Sequence, residues 1–583
     1  MTTMTSMTRL LAMTVAFTCG LTGCASRSAQ PSGNGGPSPV AGTKPGQTAA
    51  NTAPPKLVVL LAVDQLRGDY LELYGGGFTA GLKRLTSEGA WFTRAAFPYL
   101  NTVTCAGHAT IGTGTLPYRH GMILNQLYDR AAGTSPYCTV DPAVKDIALS
   151  HVPPAAAGNS AARLLQPTLG DAIKGERKGR IVSVSLKPRS AITLAGREAD
   201  AVAWFDERGG WMTTPALSAS LPLLQAYIAA HPPEADAGKV WERLRPIDAY
   251  QKEDAGIGEK GTGGWSATFP HPLGKPGTDP LGNAGAADDR TFYTRWQASP
   301  YADDHLGRMA VSLFESLRLG RGETTDLLAV SFSSLDMVGH NFGPRSHEVQ
   351  DMLFRLDATI GRLLEALDAA LGKDGYVLGL SADHGVAEIP EQVPGAGRIV
   401  SSVVREALQK GLAAALGPGE HVASVNYTDL YLKPEAARRV KEDPKVFAAA
   451  RDALLAVPGI AQVLLGDELR GAEARRSTDR VRRAAALSYH PERSGDLIVV
   501  PRETWLQSTA ATTHGTLYRY DQHVPVILYG PGVKAGRYEA AATPADLAPT
   551  LAALAGVTFR TEDGRVLGEA MASSGGKLTP PSR

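Results

Sequence analysis

The sequence predicts an α/β domain, a three-layer α/β/α sandwich with a mostly parallel central sheet and inserted cap regions. Residues 56–63, K-L-V-V-L-L-A-V, form a nearly unbroken apolar run, as expected of a central parallel strand covered on both faces. Similar runs recur at 180–185, 326–333 and 376–380, with helical periodicity between several of them. Each of these four runs leads into Asp, His, Lys or Arg, and the carboxyl edge of an open α/β sheet is where ligands bind.

The chain has 583 residues, 43% of them hydrophobic, enough for one large domain with insertions. Arg9, an apolar run over 10–17 and then Leu21-Thr22-Gly23-Cys24 read as an export signal over 1–23, too short to span a membrane. L-T-G-C matches the bacterial lipobox, which implies cleavage before Cys24, lipid on its sulfur and a mature protein tethered in the periplasm. An ordinary secretory signal is the alternative. Residues 24–55, rich in Gly, Pro, Ser, Ala and Thr, read as a disordered tether. Lys plus Arg (59) balances Asp plus Glu (58), so overall charge recruits neither nucleic acid nor anionic surfaces. With Cys19 in the signal and Cys24 lipidated, Cys105 and Cys138 remain, as a disulfide or with Cys105 a buried free thiol beside the nucleophile.

Along the domain, the 56–63 strand ends at Asp64, a carboxylate that is either a ligand or the cap of the next helix. A helix over 78–88 leads to residues 101–125, N-T-V-T-C-A-G-H-A-T-I-G-T-G-T-L-P-Y-R-H-G-M-I-L-N. Small hydroxyl residues and glycines there turn toward a helix whose N-terminus can face an anion, which makes Thr104 the candidate nucleophile. Its hydroxyl needs an activating base or metal. Asn125 follows. The 180–185 strand runs into Lys187-Pro188-Arg189; Pro188 makes Lys187 extended, and the spacing puts Lys187 and Arg189 on one side, where two cations suit a phosphate. A solvated pair is the plainer reading.

Residues 205–300 read as an irregular insertion, and 302–319 as a helix. The 326–333 strand delivers Asp336 and His340, which one helical turn would place together as chelating ligands. Residues 346–371 form a helix with an apolar stripe, and the 376–380 strand ends in Asp383-His384. Residues 395–505 read as an α+β insertion with a strand over 423–432. The main sheet resumes at 524–529, preceded by His514, and 544–556 is a closing helix. Asp64, Asp336, His340, Asp383, His384 and His514 would suffice for two transition ions with three protein ligands each, and the Asp/His mixture favours zinc.

The order D-Q, N-T-x-T-x-x-G-H-A-T, L-K-x-R, L-D-x-x-G-H, A-D-H-G and H-G resembles the alkaline phosphatase superfamily across residues 56–560. It is most similar to single-chain bacterial phosphatases of the PafA type. The resemblance implies a first zinc on Asp336, His340 and His514, facing the leaving group. It implies a second zinc on Asp64, Asp383 and His384 that also contacts and activates Thr104, with Asn125, Lys187 and Arg189 on the nonbridging phosphoryl oxygens. The expected enzyme is a monomeric phosphatase acting on small phosphate monoesters through a phosphothreonine. A sulfatase would need C-x-P-x-R, whereas Cys105 is followed by Ala-Gly-His. A phosphodiesterase would lack the cationic pair, and a non-catalytic metal-binding lipoprotein would not fill every catalytic position.

Overall fold

The computed structural model describes residues 54–206, 208–215, 220–276 and 290–572. The export signal, Cys24 and nearly all of the tether lie outside the described residues. Ten strands form the main sheet: β1 (Leu57–Val63), β2 (Ala90–Phe92), β3 (Ile147–Ala148), β4 (Ile181–Ser185), β5 (Ala201–Asp206), β6 (Gly210–Thr213), β7 (Asp326–Phe332), β8 (Tyr376–Ser381), β9 (Val526–Tyr529) and β10 (Gly536–Tyr538). Their order is β10-β2-β9-β8-β1-β7-β4-β5-β6-β3. The central run β8-β1-β7-β4-β5 is parallel, while β9 on one side and β6 on the other are antiparallel to their neighbours.

All seven residues of β1 are fully buried. Leu57, Val59, Leu61 and Val63 belong to the core on one face, and Val58, Leu60 and Ala62 to the core on the other. That alternation explains why no polar residue interrupts the strand: each side chain, odd or even, lies under a helical layer. At about 1.5 to 3 kcal/mol per buried Val or Leu, this strand is among the strongest local contributors to the fold. The helix His347–Leu371 starts at Ser346, whose hydroxyl accepts from Val349 N at 3.2 Å, and its Val349, Leu353, Leu356, Ile360, Leu363, Leu364 and Leu367 stripe is buried.

Two boundaries differ from the sequence reading. The segment over 423–432 is a hairpin of Val422–Asn426 and Asp429–Leu432, reversed at Tyr427 with φ +56°. Tyr427 donates its hydroxyl to the His514 carbonyl at 2.7 Å, a tertiary contact that supports the left-handed turn and that strand propensity cannot reveal. This hairpin joins Leu497–Pro501 and Ile460–Leu465 in a second, antiparallel sheet with its own core. At the other insertion, β5 and β6 lie within 201–213 and belong to the main sheet, so the inserted region begins later than residue 205.

That first insertion is pinned to the long helix by buried polar contacts. Trp241 and Tyr250 both donate to Asp351, at 2.7 and 2.5 Å, and His271 meets Glu348 at 2.8 Å among the rings of Trp241, Trp265, Phe269 and Phe342. Burial pushes the Glu348 carboxyl from 4.5 up to about 9 and holds His271 down at about 4. Near neutrality the pair is therefore a carboxylic acid donating to a neutral imidazole. The folded protein keeps a proton that the unfolded chain releases, so this pair's contribution to stability falls as pH rises between those two values of Glu348. Glu348→Gln keeps the contact without the titration and should flatten the pH dependence of stability between pH 6 and 8.5 by about one proton, or ~1.4 kcal/mol per pH unit. Urea midpoints across that range check it; an unchanged slope contradicts the assignment.

Candidate metal centre and nucleophile

The side chains at the carboxyl edge of the central strands converge. Asp64 leaves β1, Asp383 and His384 leave β8, and β7 leads into the helix Ser334–Phe342, on which Asp336 and His340 stand one turn apart. Asp303 holds that helix start by accepting from Ser333 N and Ser334 N at 3.1 and 3.3 Å. His514 precedes β9 instead of following a strand; because β9 is antiparallel to β8, with Val526 opposite Ser381, its N-terminal end reaches the same edge.

His340 Nε2 lies 3.3 Å and His514 Nε2 3.7 Å from Asp336 Oδ1. His384 Nε2 lies 3.1 Å from Asp383 Oδ2 and 3.5 Å from Thr104 Oγ1, and its ring stacks on His514 with centroids 3.4 Å apart. Two sets of ligand atoms each fall within 4.8 Å: Asp336, His384 and His514, and Asp64, His108 and Asp383. The geometry thus differs from the expected partition in two respects. His384 reaches both groups, and His108, not among the expected ligands, joins the second.

His108 sits four residues after Thr104, on the same face of the helix Thr104–Thr113. Its Nδ1 is 3.0 Å from Thr104 O and 3.3 Å from Asp383 Oδ2; its Nε2 is 2.8 Å from Ser331 Oγ and 3.2 Å from Asp64 Oδ1. Burial opposes charge on this ring, but the two carboxylates outweigh it and lift its pKa to about 9. His108 thus lies against both the Asp64 and the Asp383 carboxylate and braces them. The helical spacing of Thr104 and His108 is the signal that could have found it. Gln65, held at φ +66°, is a second brace: its side chain donates to Asp336 Oδ1 at 2.7 Å and its backbone N to Asp383 Oδ1 at 3.1 Å. Nothing in the sequence pattern marked it beyond its place after Asp64.

The donor set fits divalent cations. Asp64, Asp383 and His384 are fully buried, Asp336 and His514 nearly so, and Asp383 Oδ2 has no hydrogen-bond donor. Burial disfavours ionised Asp336, yet Lys187 and His340 hold its pKa well below the usual carboxylate range. His514 is pushed well down by burial and by facing His384 and His340, which leaves a neutral imidazole, the ligand form. Residues with paired carboxylate and imidazole donors of this kind bind divalent metal.

Thr104 is the first residue of its helix, follows an extended Val103, and is 1% exposed. Thr102 Oγ1 is committed to the Thr516 carbonyl at 2.8 Å, whereas Thr104 Oγ1 lies beside His384 Nε2. Gly107 sits where any Cβ would collide with the Asp383 backbone, so this glycine lets the Thr104 helix approach the residues that follow β8. Asn125 Oδ1 accepts from Cys105 N at 2.9 Å, which fixes its side-chain amide at the start of the helix.

Lys187 is extended, as expected, and its Nζ reaches Asp64 Oδ2 and Asp336 Oδ2, both at 2.6 Å. Burial would discharge this amine, but those carboxylates outweigh burial and raise its pKa. Arg189 differs from the expected geometry: Pro188 opens the helix Pro188–Ala195, so Arg189 lies in a first helical turn and not on one side of a strand with Lys187. Cys105 and Cys138 form a disulfide.

The type I phosphodiesterase / nucleotide pyrophosphatase family matches residues 58–523. Among curated relatives, a Myroides odoratus protein named calcium-transporting ATPase is 31% identical over 87% of this chain and 92% of its own. Alkaline phosphatase PafA of Elizabethkingia meningoseptica is 30% identical over 88% of this chain and 94% of its own. The crystal structure of wild-type alkaline phosphatase PafA aligns with TM-score 0.80 and 28% identity, covering 89% of this chain and all of that one. The fold and paired ligand groups are those of the alkaline phosphatase superfamily. The chain belongs to the type I phosphodiesterase / nucleotide pyrophosphatase family, as a PafA-type member of that superfamily.

The disulfide closes 33 residues of chain directly behind the nucleophile. Replacing both cysteines by serine should lower unfolding stability by about 3 kcal/mol. Since Asn125 is registered through Cys105 N, kcat should fall as well, by more than tenfold, at temperatures where the variant is folded. Urea unfolding and initial rates on an aryl phosphate check this; full activity in the folded variant would show that the bridge serves stability alone.

Proposed function

We propose that this protein is an alkaline phosphatase that hydrolyses phosphate monoesters at a di-zinc site through a phosphothreonine on Thr104. One observation carries the reading: Thr104 Oγ1, two groups of buried Asp/His ligands, and Lys187 with its charge directed at the same carboxylates occupy one sheet edge. Asp336, His340 and His514 would hold the leaving-group zinc, and Asp64, Asp383 and His384 the zinc beside Thr104. When bound, these ions supply Lewis acidity, favouring the threonine alkoxide and neutralising the departing oxygen.

The chain's own residues do the rest. Thr104 attacks phosphorus from the N-terminus of its helix, where the backbone dipole favours negative charge. His108 and Gln65 keep the ligand carboxylates in register. Asn125 Nδ2, Lys187 and Arg189 bind the nonbridging oxygens. A monoester dianion presents one more charged oxygen than a diester, and a diester leaves a desolvated cation partly unpaired, at about 2 to 5 kcal/mol for each such group.

Among the described residues no helix is long and apolar enough to cross a membrane. L-T-G-C at Cys24 supports lipid anchoring in the periplasm, and the disulfide agrees with an oxidising compartment. The near-neutral net charge of +1 supports small phosphate esters over nucleic acid as substrates.

Thr104→Ala should lower the monoester rate by several orders of magnitude, and labelled phosphate should be trapped on Thr104 in the wild type. Arg189→Ala, which leaves the Lys187 contacts to Asp64 and Asp336 in place, should strongly reduce kcat/KM for an aryl phosphate while leaving its methyl diester nearly unchanged. Equal loss on both substrates would favour a phosphodiesterase.

A further inference from the structure

Residues 125–138 fold back as a short hairpin whose base is fixed to the nucleophile helix. Cys138 N donates to Asn125 O at 2.9 Å and Leu127 N to Pro136 O at 3.0 Å, and Gln126 pairs with Tyr137 across the base. The Cys105–Cys138 bridge anchors one end, and Asn426 donates to Gln126 O at 2.8 Å on the other. A base tied in this way holds its side chains in place.

One of those side chains has no core to pack into. Tyr137 is 52% exposed, although its chain neighbour Cys138 is fully buried. Its ring lies under the Arg189 guanidinium, with Cζ 5.8 Å from the centroid. Among the described residues Arg189 makes no ion pair, and its buried Nε has no hydrogen-bond partner. Lys187, by contrast, is held between two carboxylates. The two cations therefore depend on different supports, and the face of Tyr137 is the contact that restrains Arg189.

We propose that Tyr137 is a positioning residue that holds the Arg189 guanidinium toward the phosphoryl group. The negative face of the ring attracts the cation and restricts the long side chain without occupying its N–H donors, which stay free for substrate oxygens. A carboxylate partner would compete with the phosphate for those donors; a ring does not. The hairpin thus delivers two phosphate contacts together, Asn125 directly and Arg189 through Tyr137. This rests on the reading of the site as a phosphomonoesterase.

The test measures kcat/KM for an aryl phosphate and its methyl diester, with the inhibition constant of inorganic phosphate, in Tyr137→Ala, Tyr137→Phe, Arg189→Ala and the double variant Tyr137→Ala with Arg189→Ala. Tyr137→Ala should lower monoester kcat/KM and weaken phosphate inhibition by about fivefold, the scale of an exposed or partly desolvated cation–ring contact, with diester hydrolysis within twofold of wild type. Tyr137→Phe, which keeps the ring, should stay within twofold of wild type on every measure. In the Arg189→Ala background, removing Tyr137 should have no further effect. Equal losses on both substrates, failure of phenylalanine to rescue, or an undiminished Tyr137→Ala effect without Arg189 would overturn the proposal. A wild type without preference for monoesters would instead sink the phosphomonoesterase reading, while phosphate inhibition still reports whether Tyr137 and Arg189 are coupled.

Discussion

The central constraint is negative charge buried at the edge of the sheet. Asp64, Asp336 and Asp383 are 0%, 4% and 0% exposed and converge on one small volume. Three ionised carboxylates there would repel one another and lose their hydration, so the site is stable only if cations fill it. Lys187 supplies one fixed cation, bridging Asp64 and Asp336, and the His108 ring stands between Asp64 and Asp383. The remaining donors face the space between these groups, where divalent metal neutralises what the side chains leave. The parallel strands that end here and the helix that starts at Thr104 bring this cluster together, and Tyr427 of the second insertion holds the His514 backbone.

The fold was legible where burial forces a pattern. β1 reads as a central strand because both of its faces are covered, and the candidate ligands Asp64, Asp336, Asp383 and His384 stand out as polar groups after apolar runs. His514 does not follow from such a pattern, since it precedes an antiparallel strand; the order of motifs found it. Gln65 and His108 stand inside the D-Q and G-H-A-T motifs, and His108 one helical turn after Thr104, but their partners were illegible for another reason. Their roles lie in contacts 271 and 223 residues away in sequence, to Asp336 and Ser331, and no local periodicity encodes such a contact. The Tyr427 turn depends in the same way on a hydrogen bond to the distant His514 carbonyl.

Arg189 shows how one proline can carry two local meanings. Ahead of itself Pro188 favours the extended Lys187 seen here, but it also provides a preorganised first residue for a helix, so the chain turns at once and Arg189 leaves the line of the strand. The two cations then approach the site from different directions and have different partners, carboxylates for Lys187 and an aromatic face for Arg189. The disulfide adds a covalent link between the helix that starts at Thr104 and the hairpin that starts at Asn125, so these two residues stand on one cross-linked unit.

The central claim, that the buried carboxylates and imidazoles form a two-ion site on which turnover depends, is tested most directly by metal titration. Chelator-treated protein would be titrated with zinc while bound metal per chain and initial rate on an aryl phosphate are followed together. No activity is expected without metal, with recovery reaching its plateau at two ions per chain. Activity persisting in metal-free protein, or a plateau with a single ion bound, would contradict it.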